Sequence, residues 1–237
     1  MGKIIIVGAN GSIGKASAQI LKSQSKDIEL LSRNKEELNS NALELDCSSQ
    51  VIDISNYNHV NEYIKQIDFE IDGIIFAVGS ILLKPFEKTT IDDFELTYKQ
   101  NFLDPIYFTQ QSITKMSNSS SIVYFSTVAA QSGFKLHTAI SSSKSALMGA
   151  MISLAAEYAP KIRFNCISPS LTKSKMSSFL TDSVPMSEGI AKLHPMGRLG
   201  EGKDSGSLAA YLMSPEASWI TGQNFNVDGG RSNINTK

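Results

Sequence analysis

Four consecutive apolar, β-branched residues, Ile4-Ile5-Ile6-Val7, run straight into Gly8-Ala9-Asn10-Gly11-Ser12-Ile13-Gly14. A stretch with Ala16, Ile20 and Leu21 at helical spacing follows at once. A strand without polar alternation must be covered on both faces, which is the condition of a strand inside a parallel sheet. Parallel neighbours need a long crossover, and a helix is the usual one. Glycines at 8, 11 and 14 between such a strand and such a helix let the backbone turn tightly and approach a pyrophosphate. The helix behind them offers free N–H groups and the positive end of its dipole. Taken alone, a glycine triplet also fits a plain strand-to-helix turn. Its place inside a βαβ unit favours the nucleotide cradle.

The alternation continues along the chain. Apolar runs at 28–31, 50–53, 73–78, 121–125, 162–167 and 224–227 are separated by helical patterns at about 34–43, 58–67, 92–116, 138–158 and 203–213. This order predicts an α/β fold: a doubly wound parallel sheet with helices on both faces, in one domain over 1–237. The serine patch at 117–121 reads as a loop before a strand, and that at 141–145 as part of a helix surface. A length of 237 residues suffices for one core without a disulfide or metal staple. Lysine plus arginine number 22 against 23 acids, a net charge of −1, which offers no footprint for nucleic acid and no polybasic membrane anchor. No apolar run approaches the length of a membrane span, and the N-terminal one is too short for a signal-peptide core. Cys47 and Cys166 lie far apart with no ligand spacing, so no metal site is expected and a reducing, cytoplasmic setting is.

The end of the second strand in such a fold meets the adenosine ribose. An acid there would accept hydrogen bonds from the 2′-hydroxyl, whereas a base would pair with a 2′-phosphate. Here stand Ser32 and Arg33, and the first carboxylates, Glu36 and Glu37, come later. A guanidinium can grip a phosphate bidentately, which favours NADP(H) and leaves NAD(H) open.

These residues, with others in the same order, resemble the short-chain dehydrogenase/reductases over nearly the whole chain. The glycine loop is similar, with its middle glycine moved one place. Asp53-Ile54 resembles the family's contact to the adenine amino group, and Asn101 falls at the position of a catalytic Asn. Ile162 to Pro169 is similar to the strand before the nicotinamide site. Met196-Gly197-Arg198-Leu199-Gly200 and Ile220 through Gly230 resemble the C-terminal signature. The resemblance implies a Rossmann-type sheet, a nicotinamide cofactor and hydride exchange with a carbonyl/alcohol pair. Fold alone does not prove activity, which belongs to the site.

The family's chemistry uses a Ser, a Tyr and a Lys, the last two four residues apart so that they share a helix face. Lys144 is present, but four residues before it stands Ile140, which can neither donate nor accept a proton. Thirteen residues before Ile140 is Thr127, which keeps a hydroxyl; Ser126 beside it points to the opposite face. The family's Asn-Asn-Ala-Gly has become Phe76-Ala77-Val78-Gly79, and its Pro-Gly has become Pro169-Ser170. Lys144 would orient the nicotinamide ribose, Thr127 would polarise the substrate oxygen, and Asn101 would hold a water near Lys144. Ser174 sits where the family often bonds the nicotinamide amide.

Three readings stay open. Another donor supplies the proton, for which His137 is a candidate because it stands seven residues before Lys144, where the enoyl-reductase branch places its Tyr. Alternatively the chain binds nucleotide without hydride chemistry, as a sensor or partner subunit; a pocket filled by Ile140 and Phe76 would favour this. Third, an activated or conjugated carbonyl needs no strong acid. The segment 171–196, with Met176, Phe179, Leu180 and Met186, resembles the family's substrate lid. His194 shows no partner in the sequence. The nearly all-apolar run Ala146 to Ile152, with the helix at 92–116, resembles the family's subunit contact and implies a homodimer or homotetramer.

Overall fold

Both faces of the first strand are buried, as its unbroken apolar run requires. The computed structural model describes residues 2–235. Its strands are β1 (Lys3–Val7), β2 (Ile28–Ser32), β3 (Ser48–Val51), β4 (Ile71–Phe76), β5 (Met116–Phe125), β6 (Ile162–Pro169) and β7 (Asn224–Val227). They form one sheet in the order β3-β2-β1-β4-β5-β6-β7, with every pair parallel. The helices are α1 (Ser12–Ser23), α2 (Lys35–Leu45), α3 (Tyr57–Gln66), α4 (Ile91–Tyr98), α5 (Asp104–Ser112), α6 (Thr138–Tyr158), α7 (Ser178–Thr181), α8 (Val184–Ala191) and α9 (Gly202–Leu212). Ile4 and Ile6 pack with Leu21, Leu38 and Leu212 from α1, α2 and α9. Ile5 and Val7 pack on the other face with Val60, Phe108 and Leu147 from α3, α5 and α6. Each such side chain contributes about 1.5–3 kcal/mol when fully buried. No helix among the described residues is long and apolar enough to cross a membrane.

The neighbours of β1 are β2 and β4, so the winding reverses at β1 and a crevice opens between the loops that leave β1 and β4. Those loops nearly touch. Gly8 has φ 88°, and a Cβ there would lie 2.4 Å from the Ala77 carbonyl oxygen. Only glycine allows both that angle and that approach.

Three expectations need correction. The serines at 117–121 are not a loop before β5. Met116 pairs with Ile71 and Ser121 with Gly73, so residues 117–120 bulge away from β4, while Ser120 still pairs with Ile162 of β6. Ser117 Oγ donates to Asp72 Oδ1 (2.7 Å) and Ser120 Oγ to the Ser117 carbonyl (2.7 Å), which supplies the lost ladder with side-chain bonds. The helix expected at 92–116 is interrupted by a π turn over Lys99–Leu103, and α5 ends at Ser112. Of the patch at 141–145, Ser143 faces the interior and bonds the Ile140 carbonyl.

Candidate active site

The ends of β1, β4, β5 and β6 open on one cavity of about 900 Å³. The loop after β1 brings Asn10, Gly11, Ser12 and Ile13 to its wall, and the loop after β4 brings Ala77 and Gly79. Asn101, Thr127 and Lys144 also line it, and Pro169, Ser170 and Ser174 do so on the β6 side. Gly8 and Gly14 stand behind the wall, within the turn. Ser32, at the end of β2, and Arg33, Asp53 and Ile54, past the ends of β2 and β3, are not in the cavity wall; Arg33 is exposed. The Asp53 carboxylate accepts hydrogen bonds from the Ser55 N–H (3.0 Å) and hydroxyl (2.8 Å). Burial works against its charge, yet these bonds and Arg33 hold its pKa below the ordinary carboxylate value.

The glycine loop has the form of an anion cradle. Gly11 caps α1 with no side-chain hydrogen bond, which leaves first-turn N–H groups free to meet a phosphate. A Cβ at Gly14 would lie 2.4 Å from the Gly8 carbonyl oxygen, so a larger residue would push the helix off the turn. Asn10 fixes the loop to α2: its amide donates to the Asn34 carbonyl (3.1 Å) and accepts from Asn41 Nδ2 (3.1 Å). The residues present fit a dinucleotide.

Lys144 is buried in the cavity wall, and its Nζ donates to the Phe125 carbonyl at 2.8 Å. An ammonium has three donors, so two remain for a ligand. Burial draws its pKa down to about 8, slightly opposed by Cys166, whose thiol burial pushes up to about 12. A Cβ at Gly79 would sit 2.6 Å from Asn101 Oδ1 and 3.3 Å from Lys144 Nζ, so these three groups meet. The Asn101 side chain is fully engaged. Its Oδ1 accepts from the Ser80 N–H, and its Nδ2 donates to Ser80 Oγ and the Thr97 carbonyl. It clamps the loop after β4, and its place in the π turn is a common one for a functional residue.

Both Ser126 and Thr127 line the cavity, and their bonding separates them. Ser126 Oγ donates to the Lys144 carbonyl (3.3 Å). Thr127 Oγ1 accepts from the Ala129 N–H (3.3 Å), which leaves its own proton free to donate. Ile140, on α6 one turn before Lys144, forms part of the wall without filling the space. Phe76 is absent from the wall: it is 1% exposed and stacks on Tyr124 in the core. His137 lines the cavity, and its Nδ1 meets the Lys135 carbonyl at 2.6 Å. A carbonyl only accepts, so Nδ1 carries the hydrogen in this bond.

Segment 171–196 lies over the cavity as a short 3-10 turn, α7 and α8. Ser174 caps that turn through Ser177, and Met176, Leu180 and Ile190 face the space beneath. Lys175 Nζ meets Glu37 Oε1 at 2.8 Å and ties the segment to α2. Sequence reasoning missed His194. It is buried, with Nδ1 on the Ile190 carbonyl and Nε2 on Ser170 Oγ, each at 2.9 Å. It fixes both α8 and the end of β6, a link between residues 24 apart that no local pattern reveals.

A family model described as enoyl-(acyl carrier protein) reductase matches residues 8–232. A tropinone reductase homologue of Arabidopsis thaliana is 31% identical over 190 residues, which is 77% of this chain and 62% of that protein. This chain therefore spans less than two thirds of that relative. A short-chain dehydrogenase/reductase of Brucella melitensis, described as a glucose/ribitol dehydrogenase, superposes with a TM-score of 0.91 at 26% identity, covering 97% of this chain and 96% of that one. ElxO, in a structure with NADP bound, shares the fold with a TM-score of 0.88 at 24% identity over 98% of this chain and 99% of its own. With its glycine turn, parallel sheet order and central lysine in place, the chain belongs to the short-chain dehydrogenase/reductase family.

Proposed function

We propose that this chain is an NADP(H)-dependent oxidoreductase acting on a carbonyl/alcohol pair, with Ile140 where the family's tyrosine stands. One observation carries the reading: the glycine cradle, the Thr127 hydroxyl and the Lys144 ammonium all face one open cavity that neither Ile140 nor Phe76 fills. A nicotinamide dinucleotide, when bound, supplies or takes up the hydride. Gly11, Ser12 and Ile13 hold its phosphates at the α1 N-terminus, and Arg33 selects a 2′-phosphate. Lys144 orients a ribose through its two free donors. Ser170 and Ser174 border the nicotinamide, with Ser170 held in place by His194. Thr127 donates its free proton as a hydrogen bond to the substrate oxygen.

The proton itself comes from outside the Ile140 position. We assign its delivery to His137, which lines the cavity with Nδ1 held by the Lys135 carbonyl. Losing one positioned acid costs ~10²–10⁴ in rate, which slows the reaction and still allows it. The assembly we propose is a homodimer or homotetramer, with Leu96 on α4 and Ile152 on α6, each 57% exposed, covered by a second copy. Oxidation of NADPH against a panel of ketones and enones tests the activity. Tight cofactor binding with no oxidation across the panel would leave the silent, nucleotide-binding reading instead.

A further inference from the structure

Arg231 lies just beyond the C-terminal signature, yet it reaches the cavity wall. Its guanidinium carbon sits 4.9 Å from the centre of the Phe134 ring, which holds the plane by cation–π contact. Its Nη1 is buried and has no hydrogen-bond partner. A buried guanidinium N–H without an acceptor carries a full desolvation penalty, so its persistence calls for a ligand. The nearest carboxylate in its own segment does not serve. Asp228 accepts from the Gly230 N–H, the Ser232 N–H and the Ser232 hydroxyl. Among the described residues no carboxylate forms an ion pair with Arg231.

The cavity's charge points the same way. Its wall carries four cations, Lys135, Lys144, Lys175 and Arg231, against one carboxylate, Glu37, and Lys175 already pairs with Glu37. This excess stands in a chain whose net charge is −1. Arg231 shares the cavity wall with Phe134 and His137. Phe134, on which it rests, also packs edge-on against His137 in the segment that leads to Ile140.

We infer that Arg231 anchors a carboxylate on the substrate, so that this chain acts on oxo acids or hydroxy acids rather than neutral carbonyl compounds. The inference rests on the oxidoreductase reading for its reaction but not for its binding site. The planar guanidinium fork matches a carboxylate bidentately, which an ammonium does not. Apolar lid residues Leu180 and Ile190 suit the alkyl chain between carboxylate and carbonyl.

The test uses 3-oxobutanoate, 4-oxopentanoate, 5-oxohexanoate and their methyl esters, which vary the spacing and remove the charge. Binding is titrated calorimetrically into the protein with and without NADP⁺, where no turnover occurs, and kcat/KM is measured separately with NADPH. At least one acid should bind about 10- to 150-fold more tightly than its ester, the worth of a charged hydrogen bond. Arg231→Leu should abolish that preference, Arg231→Lys should retain only part of it, and Lys135→Ala should leave most of it. Acids and esters that bind alike to the unmodified protein, or a preference that survives Arg231→Leu, would overturn the inference. If the leucine variant does not fold, the acid–ester comparison on the unmodified protein still decides. Acid binding lost in Arg231→Leu with no NADPH oxidation by any compound would refute the reductase reading and leave the anchor standing. Turnover with equal kcat/KM for acids and esters would do the reverse.

Discussion

Replacing Ile140 by tyrosine restores a phenol one helical turn before Lys144. The side chain starts from the cavity wall, and the extra volume of the ring is a small part of the roughly 900 Å³ in front of it. Overpacking in a closed core costs about 1–3 kcal/mol, and a wall facing open space should stay below that range. The Lys144 ammonium lowers the phenol's pKa and so makes it a better proton donor and acceptor at neutral pH. A positioned acid contributes ~10²–10⁴ in rate. At 1.36 kcal/mol per factor of ten this is about 2.7–5.4 kcal/mol of barrier. Ile140→Phe supplies the same ring without the hydroxyl and controls for shape. The assay follows loss of reduced nicotinamide absorbance with the best substrate of the panel, together with the melting temperature of each variant. Ile140→Tyr should raise kcat by about two orders of magnitude or more over Ile140→Phe. Equal kcat in the two variants, with both folded and both binding cofactor, would refute the placement of the proton-transfer position at 140.

Arg33→Ala should weaken NADPH binding by about 10-fold or more, the worth of a charged hydrogen bond, and leave NADH unchanged; an equal loss for both would contradict the 2′-phosphate assignment. Gly8→Ala places a Cβ 2.4 Å from the Ala77 oxygen at φ 88°. Backbone strain alone should cost about 1–3 kcal/mol, and the melting temperature should fall by about 2–4 °C per kcal/mol. Because burial lowers the Lys144 pKa to about 8, the folded chain binds fewer protons than the unfolded one between that pH and the ordinary lysine value. The Lys144 share of the stability should therefore rise with pH across this window, against an opposite share from the buried Cys166 thiol above the ordinary thiol value, while cofactor affinity falls as the ammonium is lost; Lys144→Met should lower the stability slope and remove the affinity slope. Ile152→Asp should shift the mass in solution toward the monomer, and an unchanged mass would exclude that helix from the subunit contact.

Much of the fold was legible because its signals are local. Unbroken apolar runs such as Ile4 to Val7 report burial on both faces, and the glycine turn reports where the first crossover begins. Of the wall residues, Gly11 follows from that turn, whereas Thr127 and Lys144 rest on the resemblance to the family's Ser, Tyr and Lys positions. What the sequence hid depends on long-range pairing. The bulge of residues 117–120 arises from how β5 meets Ile71 and Gly73, and the serine run alone reads as a loop. The π turn at Asn101 lies within an otherwise helical pattern. Phe76 looks like a pocket residue from its position at the end of β4, but it faces α5 and stacks in the core. His194 and Arg231 gain their partners across 24 and 97 positions, through Ser170 and Phe134.

The central claim is that this cavity transfers hydride without the family's tyrosine. The direct measurement uses NADPH carrying deuterium on the transferred face of nicotinamide C4, with excess purified protein and the carbonyl panel, read by mass spectrometry of the products. The expected result is one deuterium in the alcohol or saturated product formed by the unmodified chain, and none with Lys144→Met. Stoichiometric NADPH binding with no deuterium in any product would contradict it.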